Sequence, residues 1–440
     1  MSLRKLWLSI ALSSLFIQLG GCSNLLKTEK EKVKGVRVAA LTLDDNKLKA
    51  DSSLSGRKIE LPDTVLNNSW EQTGGNAAHD IGHPLLKDRL NLLWSVSASE
   101  GINKNNPYQS QPVVANGNIF VLSTDASVSA FSIKDGTLRW KVQVSTPEQD
   151  SRAFSGGLAY DNGRLLVTYG TDDIVAIDAK NGGQVWRIST DKPVVSAPAL
   201  SNNRLVISTL GNDILCFDSN NGKMLWRQAG VAETTSLLGR PPAAIHGNLV
   251  VVILSSGEVL GLGLENGRIL WSDNLGGIRK IREGWGLNDS SSWPVISDDR
   301  VYLAGLPPHL LAINSQSGGR DWDTAFSTLN PIQVAGDYIY GLSNQQQLAA
   351  INATNGKINW VQNLEAGEDD KANAWQGPLV AGDKVLVADS SGHLLTFDAL
   401  NGKKTNSLSI DNALATSPIV VGNSLFLLDT EGKLMAYKGQ

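Results

Sequence analysis

Few residues in this chain are spaced for chemistry. His79 and His83 stand four apart, the spacing of a zinc pair on a helix, but Gly82 and Pro84 break any helix there and no HExxH motif occurs. The stretch "EAGEDDK", residues 365–371, gathers carboxylates without the spacing of a calcium loop. "GGIRKIREGWG", residues 276–286, is basic and glycine-flanked, yet it opens no strand–helix unit that would cradle a phosphate. Of the two cysteines, Cys216 lies inside the apolar run "DILCFD" and reads as a small buried hydrophobe. Neither a GxSxG elbow nor a Walker loop is present. No catalytic residue, metal site or cofactor is expected, and a net charge of −4 disfavours nucleic acid as a partner.

The elements that would position any site are announced by a repeat. Asp135-Gly136 precedes Trp140, Asn181-Gly182 precedes Trp186, Asn221-Gly222 precedes Trp226 and Asn266-Gly267 precedes Trp271. Gly318 precedes Trp322 and Asn355-Gly356 precedes Trp360, whereas Asn401-Gly402 is followed by Asn406. In each case the offset is four residues, and the units recur every ~40–50 residues, the period of a four-stranded propeller blade. An Asn-Gly or Asp-Gly pair supplies the positive φ angles of a tight hairpin turn. The tryptophan at a fixed offset then covers the neighbouring blade, with its N–H on a backbone partner.

Pro112, Pro198, Pro242, Pro294, Pro378 and Pro418 each precede an apolar strand, and "GGLAYDNGRLLV" and "NPIQVAGDYIY" complete eight unit starts. The eighth unit opens at Ser417 and lacks its last strand. "LNLLWSV", residues 90–96, carries an orphan Trp94. The fold class is therefore all-β: an eight-bladed β-propeller of four-stranded antiparallel blades, closed by this N-terminal strand. Closure in this manner leaves no open sheet edge between the chain ends.

Arg4 and Lys5 precede the apolar stretch "LWLSIALSSLFI", which is short for a spanning helix. It ends in "LGGCS", which resembles a bacterial lipobox and makes Cys22 the expected lipid acceptor after removal of a 1–21 signal peptide. Ser23 after the cysteine implies, by likeness to known lipoproteins, the outer membrane. Residues 22–68 are polar and charged and are expected to form a flexible tether. Residues 69–440 form the propeller, with "SWEQTGGNAAHDIGHP", residues 69–84, packing beside the closing strand.

The blade cadence, in "AIDAKNGGQVW" and "AINATNGKINW", is similar to the docking repeats of quinoprotein (PQQ) dehydrogenases. That family implies an alternative enzyme reading, although its vicinal cysteine pair has no counterpart here. Signal, lipobox, tether and eight tryptophan-docked blades together resemble the BamB family of the outer-membrane β-barrel assembly machinery. The resemblance implies a non-enzymatic, lipid-anchored scaffold on the periplasmic face of the outer membrane. Its implied partners are the POTRA domains of a BamA-type barrel insertase and nascent outer-membrane proteins; a ligand-sensing propeller is a further alternative.

The long connections, residues 97–111, 143–156, 228–241, 273–292 and 362–376, join successive blades and are expected to share one face, where recognition concentrates. The family's contact loops fall on "TTSLLGRPPA" and "GLNDSSSWPV". Leu237 matches the last leucine of the family motif, Leu238 replaces its arginine, and Arg240 offers a guanidinium two positions on. Asp289 is retained, and Trp285 lies close by in sequence. These five residues are the expected partner contacts.

Overall fold

The computed structural model describes residues 47–54, 56–104, 108–146, 155–230, 239–275, 292–305, 309–364 and 374–440. These form eight four-stranded antiparallel sheets. Blades 1 to 7 span residues 113–143, 157–189, 199–228, 244–274, 295–324, 333–363 and 375–409. Blade 8 takes three strands from residues 419–439 and its outer strand, Leu90–Ser97, from the front of the chain. Leu92 lies opposite Tyr437 and Val96 opposite Leu434, so the ring closes as the orphan tryptophan predicted.

The tryptophan cadence is a belt of forward contacts. Trp140 of blade 1 lies over Gly182 of blade 2, and a Cβ added to that glycine would sit 2.8 Å from the indole. Gly182 also takes φ +75°, so two independent constraints demand glycine there. Trp140 Nε1–H donates to the Ala179 carbonyl at 3.1 Å. The same pair of contacts joins Trp94 to Gly136 and Ile133, Trp226 to Gly267 and Leu264, and Trp360 to Gly402 and Ala399. Just before each tryptophan the ladder slips by one residue, as between Ala130 and Phe131, where Arg139 is the extra residue. The bulge re-aims the indole towards the next blade.

The turn chemistry differs from expectation at these positions. Gly182 has positive φ but Asn181 does not; its Oδ1 instead accepts the Gly183 N–H at 2.7 Å. The turn closes through Gly182 N–H on the Asp178 carbonyl, a wider loop with a single left-handed glycine. The two-residue turns occur two hairpins earlier, between the first and second strands of a blade, at Asn116-Gly117 and Asn162-Gly163, where both residues have positive φ.

Two expectations about the N-terminal region are corrected. Residues 48–68, placed in the tether, lie against the ring: Ile59 and Leu54 are buried, and Asp51 N–H donates to the Ile358 carbonyl. The compact unit accordingly begins at Leu48 rather than at residue 69. Four scattered apolar residues, Leu48, Leu54, Ile59 and Leu61, are buried or half-buried in this polar stretch, which composition alone does not reveal.

Residues 67–84 do not sit beside the closing strand but run round the central axis. Asn67 bonds blade 8 through Val420 and Gly422, Trp70 exchanges both backbone bonds with Val114 of blade 1, and Glu71 accepts from Tyr160 of blade 2. The Gln72 side chain pairs with both backbone groups of Leu200 in blade 3. Ala77, Ala78, Gly82 and Pro84 then accept from Ile245, Ile296, the Gln333 side chain and Gly382, in blades 4, 5, 6 and 7. This is one circuit in the blades' own order. The innermost strand of every blade has a free edge facing the axis, and the belt satisfies those edges. Gly75, at φ +93° and with Ile81 where a Cβ would go, lets the belt turn inside the narrow channel.

Candidate functional site

The described ends of the blade junctions meet on one face. Their described residues, among them Tyr108, Gly156, Arg240, Trp375 and Thr416, surround a funnel of about 730 Å³ on the axis. Thr73 of the belt also lines it, so the belt stands across the channel the funnel enters. Amides and hydroxyls from Gln109, Gln111, Asn344 and Ser417 alternate with the aromatic faces of Tyr108, Trp293 and Trp375. No carboxylate lines the funnel among the described residues. Calcium requires several hard oxygen ligands, usually with carboxylates among them, and the described lining offers only amide, hydroxyl and carbonyl oxygens.

Arg240 is the one expected contact residue within the described set. It is 6% exposed. Its backbone N–H donates to Val195 at 2.9 Å, and its guanidinium donates to the Asn212 side chain and, at 3.3 Å, to the Leu210 carbonyl. Asn212 is itself buried and donates to Ser255 Oγ at 3.0 Å, across to blade 4. Arg240 thus pins a turn of blade 3 to the strand entering blade 4, and the guanidinium offered to a partner by the sequence reading is spent inside the protein. Leu237, Leu238, Trp285 and Asp289 lie outside the described residues, as do the 1–21 segment, Cys22 and the stretches 276–286 and 365–371.

Beside Arg240 the sequence reading missed an ionic cluster. Asp213 is buried and receives both Lys192 Nζ at 3.1 Å and Arg227 at 2.9 Å. At the foot of the following junction Arg320 clamps Asp273 with two bonds of 2.7 and 2.9 Å and also donates to the Asn274 carbonyl. Such forked pairs fix geometry as well as charge. Arg320 and Asp273 come from different blades, so that clamp does not show as a local motif, whereas Arg227 and Asp213 lie 14 residues apart in one blade.

His79 and His83 are structural. His79 Nδ1–H donates to the Pro294 carbonyl at 2.7 Å and its ring packs 5.7 Å from Trp293. Each nitrogen of His83 faces a different carbonyl, of Pro62 and Gly382. Burial pushes His79 down to about 4. The unfolded chain binds this proton near pH 6.5 and the folded one only near 4, so its contribution to stability is complete above 6.5 and is lost as pH falls towards 4. Between pH 7 and 4.5, His79→Asn, whose side chain tolerates the same left-handed backbone, is expected to lose about 2–3 kcal/mol less than the parent in denaturant titrations. Asp80, raised by burial, acts oppositely in both proteins and cancels in the comparison. Cys216 is fully buried, and burial pushes its thiol up to about 12, the inert state expected of it.

An eight-bladed ring with a tryptophan belt, a blocked axis and a face of long junctions defines a tryptophan-docking propeller. The model of the family described as outer membrane protein assembly factor BamB matches residues 90–153, 147–362 and 343–440, and the chain belongs to that family. Among its relatives, the outer membrane protein assembly factor BamB of Xanthomonas campestris is 28% identical, over 80% of this chain and 86% of its own. That of Salmonella typhimurium is 27% identical over 78% and 88%. The crystal structure of BamB from Moraxella catarrhalis aligns with a TM-score of 0.68 at 18% identity, covering 80% of this chain and all of that one. The quinohemoprotein alcohol dehydrogenase of Comamonas testosteroni aligns with 0.66 at 14% identity, covering 84% and 81%, which marks the propeller as common to both.

Proposed function

We propose that the protein is a non-enzymatic scaffold for outer-membrane protein assembly, anchored through lipid on Cys22 at the periplasmic face of the outer membrane. Its junction face binds the POTRA domains of a BamA-type insertase and helps nascent outer-membrane proteins reach it. The observation that carries this reading is a funnel on one face of a rigid ring, lined by the described ends of the blade junctions. Membership of the family, whose named relatives are assembly factors, supports it. The funnel's lack of carboxylates among its described lining favours the scaffold over a quinone enzyme.

Leu237 and Leu238 supply the apolar anchor, with Trp285 and Asp289 from the adjoining junction. Arg240 anchors the described segment that follows Leu237 and Leu238 in sequence. Replacing Leu237 and Leu238 together by alanine is expected to weaken capture of purified POTRA domains at least ~10-fold, a loss of about 1.4 kcal/mol, with the melting temperature unchanged. Arg240→Ala is expected to lower the melting temperature as well, because it removes the buried guanidinium's bonds to the Asn212 side chain and the Leu210 carbonyl. Undiminished capture by the double leucine variant would remove this site from the proposal.

A further inference from the structure

The tryptophan belt is interrupted once. Seven seams between blades hold an indole, but between blades 7 and 8 the position belongs to Asn406, paired with Thr396. The topology supplies the reason. In blade 8 the third and fourth strands come from opposite ends of the chain, so no turn joins them and no turn glycine offers a floor for an indole. The equivalent acceptor, the Gly439 carbonyl, takes the Asn423 side chain instead, at 2.9 Å.

A strap, residues 84–90, crosses this seam. Gly382 N–H donates to Pro84, Lys384 Nζ donates to the Leu86 carbonyl, and Lys87 N–H donates to Asn423. Between strap and sheet lies a cleft of about 580 Å³ lined by Leu86, Leu386, Leu394, Leu400, Leu408 and Asn406. That volume falls in the range of small-molecule sites, roughly 300–1,000 Å³. With Leu90, six leucines on the walls favour an apolar guest, and the balanced charges of Lys87, Arg89 and Lys384 against Asp88, Asp383 and Asp398 at the same cleft select no net charge.

We propose that this cleft is a docking slot for an aromatic side chain on an extended segment of an unfolded client protein. The proposal rests on the assembly-factor reading above. The neighbouring seams show what the space accepts, since at the equivalent place in each a buried or half-buried indole lies between two blades. Strands of membrane β-barrels alternate apolar and polar residues and carry aromatic girdles, so such a chain, before it folds, presents the matching ring.

The test uses the full-length protein and a short synthetic peptide of alternating threonine and valine with benzoylphenylalanine at its centre. After irradiation, cross-links are expected to concentrate in residues 86–90 and 394–408. Excess of the same peptide bearing tryptophan should suppress them, and one bearing alanine should not. Asn406→Trp, which fills the slot from within, is expected to reduce cross-linking about 10-fold. Leu400→Arg, at an exposed position of the cleft, should do the same should the first variant disturb the fold. POTRA capture, read on the same variants, is expected unchanged, so loss of the slot and loss of the scaffold reading are separate results. Cross-links spread evenly over all eight seams, or undiminished in both variants, would overturn the proposal.

Discussion

A chain beginning at residue 86 is expected to fail to form a stable ring, while one beginning at residue 48 melts within a few degrees of the full-length protein. The segment removed between them makes backbone or side-chain bonds to all eight blades and buries Trp70 to 3% exposure. Each bond contributes about 1 kcal/mol net, and loss of a buried aromatic costs about 3–5 kcal/mol. Water entering the opened channel restores part of the hydrogen bonding. A deficit of at least ~5 kcal/mol remains, a large share of the roughly 5–15 kcal/mol that holds a domain together. Thermal melts followed by circular dichroism on the two truncated chains would decide it, and equal midpoints would show the belt to be dispensable.

Trp94→Ala is expected to be the most damaging single substitution in the closing strand, costing about 3–5 kcal/mol. Trp94 is 9% exposed, lies on Gly136, packs 6.1 Å from Phe426 and donates to Ile133 at 3.1 Å, so it joins blade 8 to blade 1. Its neighbour Leu93, 51% exposed at the bulge, provides the control: Leu93→Ala is expected to fall within about 0.5 kcal/mol of the parent. Urea titrations of both variants give the comparison. Equal losses would mean that the strand acts through its backbone alone and that the indole adds nothing to closure.

The blades were legible because the interaction that builds them fixes both residue types and their separation. An indole needs a glycine beneath it, and the glycine sits in the turn four residues before the next tryptophan. Even the closing strand announced itself, since Trp94 had no turn of its own. The axial belt was not legible. Its bonds run mostly from its own carbonyls to inner-strand amides, and almost any residue supplies a carbonyl, so only Gly74-Gly75 hints at a sharp turn. Arg240 failed differently. A basic residue beside a long loop reads as a surface group, and the Asn212 that turns it inward belongs to the preceding blade. The candidate site was legible only as a set of long junctions. Of the contacts at their bases, Arg320 with Asp273 links two blades and shows in no local pattern, whereas Arg227 with Asp213 spans 14 residues within one blade, as Arg187 with Asp173 does.

The borrowed strand also sets a timetable. Leu90–Ser97 is made early, yet its only ladder partner is the last strand, Lys433–Gly439. Asn67 likewise waits for Val420. During synthesis, seven blades can form in sequence while the ring stays an open arc with raw sheet edges at both ends. Such long-range pairing is slow and leaves those edges prone to sticking to other chains. The lock that secures the finished protein therefore engages last, and a cell making it must shield the arc until the tail arrives.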